Sequence, residues 1–182
     1  MGSIEELSEV FGRSISAPWM RTSSGSERVL MVAYDKELER PLRSRINLFS
    51  EAIVGANYSA VHLDLTTWFS EWMAGQKYAE GYFESPEDLQ TLIEAEFKNY
   101  ISKGIIQKLN ESGDNTVVCI IGLDSLYGFL KTSELIRSVD PFIKGRLVIF
   151  FPGTKDGNNY RMLDAHDGWN YMANGISLNA QL

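Results

Sequence analysis

The feature that most constrains the fold is a continuous apolar run, Leu147–Phe151, which ends abruptly at Pro152-Gly153. β-Branched and aromatic residues without alternating polar positions are typical of a strand buried on both faces, as in a parallel sheet covered by helices. Proline cannot donate to a strand ladder, and glycine can adopt the positive φ of a turn. We therefore expect residues 147–151 to form an interior strand that stops at a tight turn.

Three more apolar segments predict strands, and amphipathic segments between them predict helices. The strands are expected at residues 29–34, 60–65 and 116–121. The helices are expected at residues 41–54, around Trp68–Met73, from 85 to about 110, and at roughly 126–138. Alternating strands and helices imply right-handed crossovers and a mostly parallel sheet flanked by helices. The expected fold is a three-layer α/β fold, either Rossmann-like or degenerate P-loop-like without a Walker A loop.

The chain is expected to divide into an N-terminal helix and linker, residues 1–27, and a single α/β domain, residues 28–182. An apolar stripe over residues 4–11 predicts a short amphipathic helix. The serine-rich stretch 12–27 predicts a loop or linker. A chain of 182 residues is long enough for one well-formed core.

Charge and cysteine content narrow the possible classes of protein. With 17 basic against 24 acidic residues, the net charge is −7, which disfavours a large nucleic-acid-binding surface. The single cysteine, Cys119, excludes an internal disulfide, and its apolar setting predicts a reduced thiol. Glu5, Glu6 and Glu9 occupy positions where a signal peptide carries positive charge, and no apolar run is long enough to span a membrane. These features predict a cytoplasmic protein that does not enter the membrane.

No nucleotide-binding motif is present. The segment from Tyr34 to Pro41 contains no glycine, whereas a Walker A loop needs glycines for its backbone N–H groups to wrap phosphates. No GxGxxG follows any predicted strand, which removes the dinucleotide fingerprint. A nucleotide- or metal-dependent enzyme of degenerate P-loop type is therefore only an alternative hypothesis.

Three aspartates, Asp35, Asp64 and Asp124, are expected at the same edge of the sheet because each follows a predicted parallel strand. They could hold Mg²⁺, but Asp also commonly caps helices and turns, and we favour capping because no phosphate-binding loop accompanies them. His62 is expected in a strand, and His166 lies among acids. No nucleophile with an adjacent base is evident, so we expect no catalytic residue, no metal, no cofactor and no enzymatic activity.

The most basic local segment contains Arg40, Arg43 and Arg45, interrupted upstream by Glu37 and Glu39. A solvated helix face is the favoured interpretation of this pattern. A nucleic-acid-binding module is the alternative, and direct nucleic-acid binding is not expected.

The segment after the interior strand is expected to return as a short hairpin that carries side chains to the surface. Tyrosine, tryptophan and arginine dominate the residues whose truncation weakens protein interfaces. The predicted partner-binding residues are Asn158, Asn159, Tyr160, Arg161 and Trp169. In the alternative interpretation, Tyr160 folds back into the core and Arg161 pairs with an aspartate at 164 or 167.

Three blocks of the sequence resemble one known protein family. The first joins Val29–Asp35 to Val61–Leu65, the second is Ile121–Leu135, and the third is Val148–Gly153 with Tyr160–Leu163 downstream. They resemble the BrxB family of BREX bacteriophage-exclusion systems, and Phe-Phe-Pro-Gly is the most specific element. The tail from Asp164 to Tyr171 departs from the family form, which indicates a divergent branch.

The resemblance implies a role in bacterial anti-phage defence. It implies a non-catalytic subunit, a protein–protein adaptor that works with a large ATPase, a DNA methyltransferase and an alkaline-phosphatase-like component. The residues alone, without the resemblance, predict only an α/β domain without an evident active site.

Overall fold

The computed structural model describes residues 3–20, 24–157, 159–162 and 174–178, and the backbone of residues 169–170. Its helices are α1 Ile4–Ser16, α2 Glu39–Ser44, α3 Ile46–Gly55, α4 Trp68–Ala74, α5 Ala79–Glu84, α6 Pro86–Leu92, α7 Lys98–Glu111 and α8 Thr132–Val139. Its strands are β1 Val29–Tyr34, β2 Ser59–Asp64, β3 Thr116–Ile121, β4 Arg146–Asp156, β5 Asn159–Met162, β6 Trp169–Asn170 and β7 Asn174–Ser177.

Five strands form a parallel sheet in the order β2-β3-β4-β1-β7, with β4 at its centre. Ile149 of β4 pairs with Met31 of β1 on one side and Ile120 of β3 on the other. Beyond the sheet, β4 continues and pairs antiparallel with β5, which in turn pairs with β6. The predicted interior strand and the mostly parallel α/β sheet are therefore confirmed.

The sheet is covered on both faces, which completes the three layers. On one face, Phe11 of α1 and Phe49 of α3 pack against Phe150, with Phe49 and Phe150 rings 4.9 Å apart. On the other face, Ile105 of α7 and Ile136 of α8 pack in the same core as Ile149. The strands β1, β3 and β4 are buried on both faces for this reason.

The N-terminal helix is longer than the sequence predicted. It begins at a capping box in which Ser3 and Glu6 bond each other's backbone N–H groups, and it continues to Ser16 rather than ending near residue 11. Leu7, Phe11 and Ile15 are fully buried. The expectation of a linker from residue 12 was wrong for residues 12–16, because Ile15 extends the buried stripe by one more turn.

The crossovers also differ from the predicted pattern. Residues 75–84, which lack helical periodicity, include the short helix α5. The predicted helix from residue 85 is confirmed as a continuous helical segment, with a π-helical turn at Ile93–Phe97 between α6 and α7. The helix predicted at 126–138 begins later, at Thr132, because a 3₁₀ turn occupies Leu123–Leu126.

In the strand order, β4 lies between β1 and β3. This order matches neither the dinucleotide-binding order 3-2-1-4-5-6 nor the flavodoxin-like order 2-1-3-4-5. Fold alone assigns no activity. Within the described part of the chain, no helix has the length and apolar character needed to cross a membrane.

Candidate functional site

The extension of β4 and its partner β5 form a hairpin that leaves the end of the central strand. Thr154 lies opposite Arg161, and Asp156 lies opposite Asn159. Because side chains alternate across a strand, these four residues share one face of the hairpin. All four are exposed, whereas Tyr160 and Met162 on the other face are buried.

Tyr160 does not reach the surface. Its side chain is fully buried and its ring meets Phe151 edge-on, with centroids 5.7 Å apart. A Cβ placed on Gly175 of β7 would overlap the Tyr160 hydroxyl, so β7 closes against it. The expectation that Tyr160 points outward was therefore wrong, and the fold-back alternative describes its position. Burial also raises the pKa of its hydroxyl.

The other predicted partner-binding residues have separate outcomes. Arg161 and Asn159 are exposed on the hairpin, as their surface role requires. Asn158 lies outside the described residues, as do the aspartates at 164 and 167 that were alternative partners of Arg161. Only the backbone of Trp169 is described, and it pairs with Tyr160. The binding role of these residues stays a prediction.

Sequence reasoning missed Thr154 and Asp156, which complete the exposed face. The signal that could have found them is the two-residue period of a strand continued past Pro152. Pro152 was expected to end the strand, but it is buried at its position and pairs with Tyr34 in the parallel register. The strand then changes partner instead of stopping.

A second polar cluster lies at the carboxyl ends of β1 and β2, and Arg43 is at its centre. The Arg43 guanidinium donates to Glu39 at 2.6 Å, to Asp64 at 2.9 Å and to Thr66 at 2.8 Å. Tyr34 also donates its hydroxyl to Glu39. Arg43 therefore bridges α2 and the loop after β2. The four-residue spacing of Glu39 and Arg43 was a sequence signal for their pairing, but the contact with Asp64 was not visible locally.

The three predicted aspartates act in turns and caps. Asp35 accepts the backbone N–H of Glu37 at 2.9 Å, and Asp64 accepts that of Thr66 at 3.0 Å. Asp124 lies in the 3₁₀ turn after β3. Among the described residues, no group of three or more His, Cys, Asp or Glu side chains could hold a metal ion. The geometry matches the capping interpretation.

The electrostatics of this edge follow from burial and from Arg43. Partial burial would raise the pKa of Asp64, but hydrogen bonds from Thr66 and Arg43 outweigh it, so the pKa is lowered. Burial and then the charge of Glu39 raise the pKa of Asp124. Burial and the hydrogen bond to Glu39 likewise raise the pKa of the Tyr34 hydroxyl. A raised carboxyl pKa can mark a proton donor, but burial beside another carboxylate in a structural network raises it as well.

The surroundings of the other candidate residues, Cys119 and His62, indicate structural roles. Cys119 is fully buried and burial raises the pKa of its thiol, so it is a core residue rather than a nucleophile. His62 lies 2.7 Å from the Ser50 hydroxyl, and burial lowers its pKa. Ser50 lies within α3, whose backbone N–H groups are used by the helix and cannot stabilise an oxyanion. His166 lies outside the described residues.

The arginines of the basic segment do not form one patch. Arg43 is engaged at the sheet edge, and Arg45 forms an ion pair with Glu5 of α1. Arg40 is exposed. The two ion pairs neutralise much of the charge that a phosphate backbone would need.

Comparisons with known proteins point to one family. The sequence model of the family described as "BREX protein BrxB" matches residues 62–175 of the chain. The search of curated proteins found no match, and the search of solved structures found none either.

Proposed function

Because the chain belongs to the BrxB family and so has a BREX-associated role in anti-phage defence, we propose that it serves this system as a protein–protein adaptor. In this proposal it binds other BREX components in the cytoplasm and catalyses no reaction itself. The resemblance of the sequence to the family supplies the candidate partners: the large ATPase, the DNA methyltransferase and the alkaline-phosphatase-like component.

The exposed face of the β4–β5 hairpin is the observation that carries the proposal. Each strand presents two hydrogen-bonding side chains on one surface: Thr154 and Asp156 on β4, and Asn159 and Arg161 on β5. The hairpin is a continuation of the central strand, and Tyr160 and Met162 anchor it in the core. A pre-ordered element loses less conformational entropy on association than a free loop does. Arg161 adds a side chain that binds carboxylates in a fixed geometry.

The sheet edge supports an adaptor better than a nucleotide-dependent enzyme. In a P-loop protein the phosphates lie in a glycine-rich loop after the first strand. Here that place holds Asp35 and Glu37, and Arg43, which could attract a phosphate, already pairs with Glu39 and Asp64. Negative side chains at this edge would repel a nucleotide.

The test is capture of BREX components by hairpin variants. A tagged wild-type chain, Arg161→Ala and Asn159→Ala are each expressed with the complete BREX system and purified by the tag. Arg161→Ala should reduce recovery of the direct partner by about tenfold or more, since arginine truncation at an interface centre typically costs about 2 kcal/mol or more. Its melting temperature should stay near the wild-type value because the side chain is exposed.

Arg40→Ala is the matched control, since Arg40 is also an exposed arginine but lies on α2. It should recover partners at the wild-type level. Wild-type recovery of every component by an Arg161→Ala, Asn159→Ala double variant that melts normally would place the interface elsewhere. A wild-type chain that recovers no BREX component would contradict the adaptor proposal itself.

A further inference from the structure

The short helix α5, in the crossover between β2 and β3, leaves two aromatic side chains in solvent. Tyr78, just before the helix, is 64% exposed, and Phe83 within it is 72% exposed. The inward positions of the helix are already filled, because Ala79 and Tyr82 pack against the core. The Phe83 side chain is therefore not needed to anchor α5.

Acidic side chains lie close to Phe83. Glu80 lies one turn from Phe83 on the same side of α5, and Glu84 follows it. Glu87 and Asp88 lie in the first turn of α6, which packs next to α5. Within the described ranges, none of these four carboxylates forms an ion pair or a side-chain hydrogen bond.

Helix dipoles account for only some of these acids. Glu87 and Asp88 are favourable at the N-terminus of α6, and Glu80 is favourable in the first turn of α5. Glu84 has no such clear preference, because it ends α5, where the dipole favours a cation, and also directly precedes the N-cap of α6, where the dipole favours an anion.

The other exposed aromatic ring, that of Tyr78, already has a cation beside it. The ammonium group of Lys77 lies 5.4 Å from the centroid of the Tyr78 ring, within the range of a cation–π contact. The ring face is thus accessible to a basic side chain. An aromatic centre with an acidic rim is complementary to a segment that carries apolar and basic residues together.

We propose that Glu80, Phe83 and Glu84, with the acids that begin α6, form a docking surface, the α5 surface, for a basic amphipathic segment of a partner protein. This inference rests on the proposed function, because an adaptor needs a second surface in addition to the hairpin. The uncompensated negative charge excludes nucleic acid and anionic lipid as occupants by repulsion.

The test uses three labelled synthetic peptides of about 18 residues, or five helical turns. The first has a leucine stripe on a lysine background, the second replaces leucine by serine, and the third replaces lysine by glutamate. Fluorescence anisotropy measures their binding to the full chain and to its variants. The leucine–lysine peptide should bind best, and its affinity should fall as salt is added.

Phe83→Ser should weaken binding of the leucine–lysine peptide by about tenfold or more. The double variant Glu80→Lys, Glu84→Lys should weaken it at least as much. Val54→Ser is the control, because Val54 is also exposed, at 62%, but lies on α3; it should change nothing. The substituted side chains are all exposed, so melting temperatures should stay close to the wild-type value.

Unchanged affinity in Phe83→Ser, or equally tight binding of the serine–lysine peptide, would overturn the α5 surface as a docking site and leave only non-specific charge attraction. The peptides involve no BREX component. Failure of this inference is therefore distinct from failure of the adaptor proposal, which is read from component recovery with the wild-type chain.

Discussion

Replacing Ile149 by alanine should destabilise the protein more than most single substitutions, because this residue occupies the middle of the central strand. Its side chain is 2% exposed and lies in the core cluster between the sheet and the helices α7 and α8. Its backbone pairs with Met31 and Ile120 on both sides. Neighbours fixed by two strand ladders have little freedom to close a gap.

The expected magnitude follows from the atoms removed. Alanine lacks three of the carbon atoms of isoleucine, and burial of each contributes about 0.8 kcal/mol, which amounts to about 2.4 kcal/mol. If the core leaves a residual cavity on the order of 50 Å³, the lost contacts add about 1.2 kcal/mol. The free energy of unfolding should therefore fall by roughly 3 to 4 kcal/mol, within the range of about 2–5 kcal/mol seen for such changes.

Urea unfolding followed by circular dichroism measures this change. The midpoint should fall while the slope with urea stays constant, because the exposed surface of the unfolded chain hardly changes. Val54→Ala, at a residue 62% exposed on α3, is the control and should stay within about 0.5 kcal/mol. A loss below about 1 kcal/mol in Ile149→Ala would refute the reasoning that β4 is the central packed element.

Three further predictions concern the hairpin and the sheet edge. Gly153→Ala should destabilise by about 1–3 kcal/mol in the same assay, because its Cβ would overlap the carbonyl oxygen of Arg161; Gly113→Ala, whose nearest neighbour would be 3.9 Å away, should be close to neutral. Asp64→Asn should lower the melting temperature at neutral pH. Folding lowers the pKa of Asp64, so the extra stability of the wild type is fully present above the unfolded pKa, about pH 4. This extra stability should disappear as the pH falls through the lower folded pKa. A difference in melting temperature that persists at about pH 2 would exclude the ion pair as its source. The purified chain should hydrolyse neither ATP nor a phosphodiester above the rate of Asp124→Ala, and turnover abolished by that substitution would show an active site at the sheet edge.

The core of the fold could be predicted because its signals are local. The apolar runs that became β1, β3 and β4 need no knowledge of their neighbours to be recognised as buried strands. Strand β7 could not be recognised in this way, since Asn174-Gly175-Ile176-Ser177 has a single apolar residue. It forms a strand because it pairs in parallel with the free edge of β1, which is far away in the chain.

The candidate site was predicted only in part, and register is the reason. A hairpin after Pro152 was expected, but which residues face out depends on how β5 pairs with β4. The observed pairing places Tyr160 against Phe151 and leaves Arg161 outside. A shift of one residue would reverse both orientations. The contact of Arg43 with Asp64 joins residues on different elements and has no local signal either.

The most direct test of the adaptor role is whether the chain bridges two other BREX components. The alkaline-phosphatase-like component is tagged in cells that carry the complete system but lack this chain, and the large ATPase recovered with the tag is quantified. Adding back the wild-type chain should raise that recovery at least severalfold, and adding back the Arg161→Ala, Asn159→Ala variant at equal abundance should not. The same comparison is made with the methyltransferase paired with the ATPase and with the alkaline-phosphatase-like component. The adaptor role would be contradicted if recovery were equal with and without the chain for all three pairs.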